Sequence, residues 1–383
     1  MKKTLLAAAL IAGYAGAASA QNSVTLYGVV STGFKYETAK ANSNAETKSQ
    51  FAMDQGQWNG NRWGLRGVED LGNGLKASFQ LESGYNSTNG RQAQGGRLFG
   101  RQATIALEGS SWGKVQLGRA VSPGTVAFSG VDPFGASFGT SSYTSSASQS
   151  FIRYDNMVTY ATPNVAGFNA IVGYSFDPGL SSNSFREPGD DYSAGFETND
   201  KNRIASLGAR YANGPILVSG IFDYIYSDNR NQGAGIVDNN TNVKAWQVGG
   251  SYDFKVAKVH AAYGQEIDGL VGAADGIANL LYGDSSDLGG NVLFARGVRA
   301  QTWMVGLSAP IGSGSLMASV QQQRPGGDLD LVGTANQTVA SVGYKYNLSK
   351  RTGVYGYYSY AKNLNMIDGA KSNQIGVGVR HLF

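Results

Sequence analysis

Leu75-Lys76-Ala77-Ser78-Phe79-Gln80-Leu81-Glu82 governs how the rest of the chain is read. Apolar side chains take the odd positions and polar ones the even positions, without a break. A period of two places one set on each face of a β-strand. Lysine, serine, glutamine and glutamate cannot pack as a dry core, so the polar face wants water and the apolar face an apolar medium. The pattern recurs far along the chain. Trp303, Val305 and Leu307 alternate with Thr302 and Ser308, although Met304 interrupts the polar set. Ala340, Val342, Tyr344, Tyr346 and Leu348 alternate with Ser341, Gly343, Lys345 and Asn347. Soluble sandwiches also alternate, so the repetition decides rather than any one segment.

Composition agrees. The 383 residues include 54 glycines, 8 prolines, 21 tyrosines and no cysteine, and only 15% are charged. An average soluble domain is about 25% charged. The absence of cysteine removes disulfides, thiolate metal sites and cysteine nucleophiles. His260 and His381 are the only histidines, too few for a histidine-built metal centre. The N-terminus carries the one continuous apolar run, Leu5 to Ala15, after Lys2-Lys3 and before Ala18-Ser19-Ala20. That order is a secretory signal peptide, residues 1–20, cleaved after Ala20 to leave residues 21–383 as one domain. Cleavage leaves 29 basic and 27 acidic side chains, a net charge of +2 rather than +4. Nothing in that balance suggests nucleic acid.

No later segment approaches the about 20 apolar residues of a spanning helix. A membrane chain without such helices must close its strands into a barrel, so that every backbone polar group is paired. Sixteen alternating segments run from 23–36 and 61–69 through 98–108, 255–265 and 298–308 to 373–383. Short turns such as Asp70 to Asn73 and Ala212 to Gly214 alternate with long loops such as 37–60, 121–150 and 266–297. This asymmetry predicts an all-β fold: a transmembrane 16-stranded antiparallel β-barrel of the outer-membrane type. A barrel of that size encloses an aqueous channel. Tyr160, Tyr211, Tyr226 and Tyr360, at strand ends, suit the aromatic girdles at the water interfaces.

Four strings carry a family resemblance. Asn61-Arg62-Trp63-Gly64-Leu65-Arg66-Gly67-Val68-Glu69-Asp70-Leu71-Gly72 resembles the second strand and first turn of Gram-negative general porins of the betaproteobacterial type. Val24-Thr25-Leu26-Tyr27-Gly28 is similar to the first strand of that family, and Trp112 to Arg119 to the fifth. Gly376-Val377-Gly378-Val379-Arg380-His381-Leu382-Phe383 resembles its last strand, with the terminal phenylalanine. The resemblance implies an outer-membrane homotrimer, assembled by the barrel-assembly machinery with Phe383 as its signal. It also implies a third loop folded into each lumen, and passive diffusion of ions and small hydrophilic solutes.

That loop is expected over Val121 to Ser150, with Asp132 its only charged residue. Asp132-Pro133-Phe134-Gly135 resembles the turn at the loop's tip in the family, where Pro133, Phe134 and Gly135 match and the acid is displaced. The resemblance places a ladder of arginines on the facing wall: Arg62, Arg101 and Arg153. Alternation puts Arg62 and Arg66 opposite Trp63 and Leu65, and Arg153 opposite Tyr154 and Val158, so these three point inward. Arg101 shares parity with the lipid-side Ala103, Ile105 and Leu107, so either a bulge near Gly100 turns it inward or Arg97 replaces it. Basic rings favour anions, and three arginines against Asp132 predict a weak anion preference. Glu82, Asp155 and Asp223, also inward by parity, would offset it.

No serine-centred string accompanies His260 or His381, which argues against an enzyme. His260 is assigned to the lumen side and His381 to an interfacial position. Asp284, Asp287, Asp328 and Asp330 are too loosely spaced for a calcium loop. No cofactor or metal is expected; the partners are solutes, ions and outer-membrane lipid. The competing reading is a solute-specific channel, or a barrel whose loops serve as a receptor or adhesin surface.

Overall fold

The computed structural model describes residues 23–146, 153–178, 203–226, 241–271, 292–328 and 334–383. Residues 1–20, Asp284, Asp287 and Asp330, and residues 147–150 of the third loop, lie outside the described residues.

Among the described residues seventeen strands form one antiparallel sheet. They are β1 (Ser23–Lys40), β2 (Lys48–Gln55), β3 (Arg62–Gly72), β4 (Leu75–Gly84), β5 (Gln102–Gly109) and β6 (Gly113–Val121). Next come β7 (Arg153–Ala161), β8 (Phe168–Ser175), β9 (Arg203–Asn213), β10 (Ile216–Tyr226), β11 (Val243–Asp253) and β12 (Lys258–Val271). The last are β13 (Val292–Ile311), β14 (Gly314–Gly327), β15 (Gln337–Asn347), β16 (Thr352–Lys362) and β17 (Lys371–Leu382). From β3 to β17 each strand pairs with its neighbours in sequence, and β1 pairs with β17 from Val29↔Leu382 to Lys40↔Lys371, which closes the barrel. At the seam Gly28 and Phe383 exchange backbone hydrogen bonds of 3.0 and 3.1 Å.

The strand count differs from sixteen for one reason. β1 pairs with β3 along Ser23 to Val29 and with β2 along Thr32 to Ala39. β2 and β3 are therefore one stave broken at residues 56–61, and seventeen strands make sixteen staves. The span 37–60, expected as a loop, is in part sheet: β1 runs on to Lys40, and Phe51 stacks on Phe34 at 5.6 Å on the outer face. β12 and β13 likewise extend beyond 265 and begin before 298.

Alternation sorts the two faces as the sequence implies. Val24 and Leu26 are 64% and 58% exposed on the outside, while Val29 and Ser31 on the other face are buried. Val305, Leu307, Val342, Val377 and Val379 also lie on the outer, lipid-facing surface.

The third loop folds inward. Ser122 caps a short helix, α1 (Pro123–Phe128), by accepting from the Thr125 N–H, and Pro123 suits the first turn. Gly135, at φ +63°, closes the Asp132-Pro133-Phe134-Gly135 turn with a 3.0 Å N–H to the Asp132 carbonyl. The loop's apolar residues are its core: Phe128, Val131 and Tyr143 pack with Ile221, Ala262 and Met304, and Phe134 and Phe138 with Met317, Tyr355 and Tyr357.

Inward-facing glycines make room for this packing. A Cβ on Gly208 of β9 would stand 2.6 Å from the Pro123 carbonyl oxygen, and one on Gly249 of β11 2.7 Å from Val131. On Gly306 of β13 it would stand 2.7 Å from Pro133, and on Gly343 of β15 3.1 Å from Phe134. The loop lies along a shelf that any larger side chain would fill.

Candidate functional site: the walls of the lumen

Arginines gather on the inner face of β3 to β7. Strand alternation sends Arg62 and Arg66 inward with Tyr27 of β1, and the Arg66 guanidinium lies 5.3 Å from the centre of the Tyr27 ring. Glu82 comes from the lumen face of β4 and is buried. It accepts from the Tyr27 hydroxyl at 2.8 Å and from Arg101 Nε at 2.6 Å, and Arg62 Nη1 stands 4.0 Å away. Gln80 donates to the same tyrosine oxygen at 2.7 Å.

Arg101 is on the lumen side despite its parity. It precedes β5, which begins at Gln102, so strand alternation does not bind it. Its backbone N–H bonds the Glu82 carbonyl at 3.1 Å and its side chain turns to the Glu82 carboxylate. Arg97 does not replace it but adds a second pair, with Nη1 2.7 Å from both oxygens of Asp155.

Arg119 is the arginine that sequence reasoning missed. By parity it belongs with Val115 and Leu117 on the lipid face. The pairing of β6 with β7 shifts between Gly118 and Ala120, opposite Asn156 at φ +51°. The bulge turns Arg119 inward, where it donates to Asp155 at 2.5 Å and to the Gly100 carbonyl at 2.7 Å. A glycine within an alternating strand, here Gly118, is the available signal for such a shift. Arg153, beyond the same bulge, reaches this group too, its Nε donating to the Arg101 carbonyl at 3.0 Å rather than to a carboxylate, while Tyr154, set on the lipid side by alternation, is buried.

Six arginines thus gather around two carboxylates, Glu82 and Asp155. Asp223 sits on β10, away from them, and accepts from Ser206.

Asp132 does not act as the counter-charge expected of it. It is 5% exposed, and its carboxylate accepts from the N–H groups of Phe134, Ala136 and Tyr143 at 2.8 to 3.0 Å. Ser142 lies at 3.5 Å. Burial raises its pKa against the opposing pull of these donors. The carboxylate organises the loop instead of facing the channel. Pro133 and Phe134 seat on the glycine shelf.

The opposite wall holds the loop with mostly neutral groups. Ser219 donates to the Ala127 carbonyl at 2.8 Å, Thr302 to Ser146 at 2.8 Å, and Gln321 to Ser142 at 3.0 Å. Gln337 donates to the Ser145 carbonyl at 2.8 Å. His260 Nδ1 lies 2.9 Å from the Val131 carbonyl, which can only accept, so Nδ1 carries the proton. Nε2 then accepts from Ser308 at 2.9 Å. His260 is a loop anchor, a role its lumen-side position alone did not show. His381 is exposed and bonds Thr352 at 2.9 Å.

Comparison with known proteins agrees with this architecture. Residues 6–365 match the Gram-negative porin family. The chain is 46% identical to an outer membrane porin protein of Bordetella pertussis, over 100% of both chains. It is 30% identical to outer membrane porin protein 32 of Delftia acidovorans, again over 100% of both. The structure is similar to that of an anion-selective porin from Comamonas acidovorans, with a TM-score of 0.68 and 26% identity. That match covers 95% of this chain and 100% of the other.

Proposed function

The chain belongs to the Gram-negative porin family, and from that premise we propose that its arginine wall makes the pore anion-preferring. The protein is an outer-membrane channel, not an enzyme. The observation that carries the selectivity is six arginines against Glu82 and Asp155 on β3 to β7. One cationic charge about 6 Å from a passing ion contributes roughly 0.7 kcal/mol in bulk water and nearer 3 kcal/mol at an effective dielectric of 20. The excess of positive charge therefore biases entry toward anions by a modest factor. The name of the anion-selective relative supports the same reading. Arg62, Arg66, Arg101 and Arg153 are the pore-lining cations of this reading, and the ion pairs of Arg97 and Arg119 with Asp155 support counting those two with them.

Passive diffusion of small hydrophilic solutes follows from a lumen whose walls are polar and whose loop is pinned to one side. Family likeness also supports a homotrimer, assembly by the barrel-assembly machinery with Phe383 at the seam as its signal, and export by a cleaved peptide of residues 1–20. The test is planar-bilayer conductance of the refolded protein under a salt gradient. Ohmic steps that close in threes, with a reversal potential on the anion side, are the expected result. A cation-side potential overturns the selectivity, and single closures overturn the trimer.

A further inference from the structure

The break between β2 and β3 does more than join two halves of a stave. Gly56 leaves the sheet at φ +69° with its N–H on the Ser31 carbonyl at 2.8 Å, and Asn61 returns to it by accepting from Ser31 N–H. Between these points the chain turns into the lumen. The Gln57 carbonyl accepts from Phe138, near the tip of the third loop, at 2.6 Å. The Gln57 side chain accepts from the Tyr357 hydroxyl at 2.6 Å. Trp58 is buried against Phe138's neighbours, with its ring 6.1 Å from that of Tyr355. Gly353 leaves it space, since a Cβ there would come 2.7 Å from the indole. The Arg380 guanidinium lies 3.7 Å from the centre of the Trp58 ring, with the Lys345 ammonium at 5.8 Å, and Arg380 donates to Asn59 at 3.0 Å.

We propose that residues 56–61 are a positioning segment of the constriction, in which Trp58 fixes both the third-loop tip and Arg380. The segment touches both sides of the channel. It meets the loop at Phe138, and Gly60 passes beside Arg101, whose Nη1 would lie 3.2 Å from a Cβ at that position. The gap between loop and arginines is therefore set by a piece of chain that belongs to neither. A single indole also makes loop order and the placement of a pore cation rise or fall together. The inference rests on the channel reading.

Single-channel recording of Trp58→Ala tests it. Loss of a desolvated cation–π contact and its packing corresponds to about tenfold in the population of an undocked state. The expected result is about that rise in time spent in noisy or closed states, closure at lower voltage, and a reversal potential moved toward zero. The chain has no cysteine, so Gln57→Cys with Phe138→Cys creates one possible bridge. Oxidising it in the Trp58→Ala background should quiet the current yet leave the reversal potential shifted, because Arg380 still lacks its platform. A conducting Trp58→Ala pore with wild-type noise and closure voltage overturns the proposal. If that variant does not fold, Tyr357→Phe decides: it removes only the bond to Gln57, and an unchanged trace overturns the proposal. A wild-type protein that never conducts would instead defeat the channel reading itself.

Discussion

The two sides of the lumen are built on opposite plans. On β3 to β7, long charged side chains stand over the wall, clamped by Glu82 and Asp155 and aimed by a bulge at Gly118. On β9 to β16, glycines strip the wall bare, and serine, threonine, glutamine and histidine hold backbone carbonyls of the loop. The first plan leaves charge facing water, where it acts on passing ions. The second holds the loop mostly by shape and by neutral hydrogen bonds. On the proposed reading, selectivity and cross-section fall to different strands, linked through residues 56–61.

The largest effect should come from filling the shelf. Gly208→Leu places a branched side chain where Pro123 and Ala127 of the loop now pack, the Cβ alone being 2.6 Å from the Pro123 carbonyl oxygen and 2.7 Å from Ala127. Overpacking of this kind costs about 1–3 kcal/mol, which the barrel can avoid by releasing the loop. Single-channel conductance should change strongly and closure voltage fall, with the barrel still heat-modifiable on a gel. An unchanged conductance would show that the shelf does not seat the loop.

Much of this is legible in the sequence, and the exceptions in strand position share a cause. Alternation gave the outer face, the inward course of Arg62 and Arg66, and the barrel itself, because a period of two is enforced wherever ladder pairing is regular. It failed where pairing is irregular. Arg119 follows a bulge, Arg101 precedes its strand, and 56–61 interrupts a stave. The shelf was hidden for another reason. Gly208, Gly249, Gly306 and Gly343 fall on the polar parity, where a glycine among polar residues carries no mark that another part of the chain will lie against it. Asp132 misled by composition: as the loop's only charge it looked like a pore charge, yet a carboxylate with three convergent N–H donors is a structural acceptor.

The electrostatic side should respond with smaller changes, and with a sign. Arg153→Ala removes a cation that leans on the Arg101 carbonyl instead of a carboxylate. At roughly 0.7 kcal/mol per charge, opposite in sign for anion and cation, the anion-to-cation permeability ratio should fall by up to about tenfold, read from the reversal potential. Glu82→Gln should raise it by less, because the amide still accepts from the Tyr27 hydroxyl while Arg62 and Arg101 lose their counter-charge. If both variants shift the potential in one direction, the wall does not act through its net charge.

His260→Ala should give the smallest effect, and salt shows which plan it belongs to. The variant removes one hydrogen bond to the Val131 carbonyl, worth about 1 kcal/mol, so open-channel noise should rise slightly with the reversal potential unmoved. Raising ionic strength from 0.1 to 1 M shortens the screening length from about 10 to about 3 Å. The Arg153→Ala and Glu82→Gln shifts should shrink accordingly, since they act across water. The His260→Ala noise should persist, since a neutral bond on a packed loop is not screened. Salt-sensitive noise in His260→Ala would mean that the loop is held by charge, and the division between the two walls would have to be redrawn.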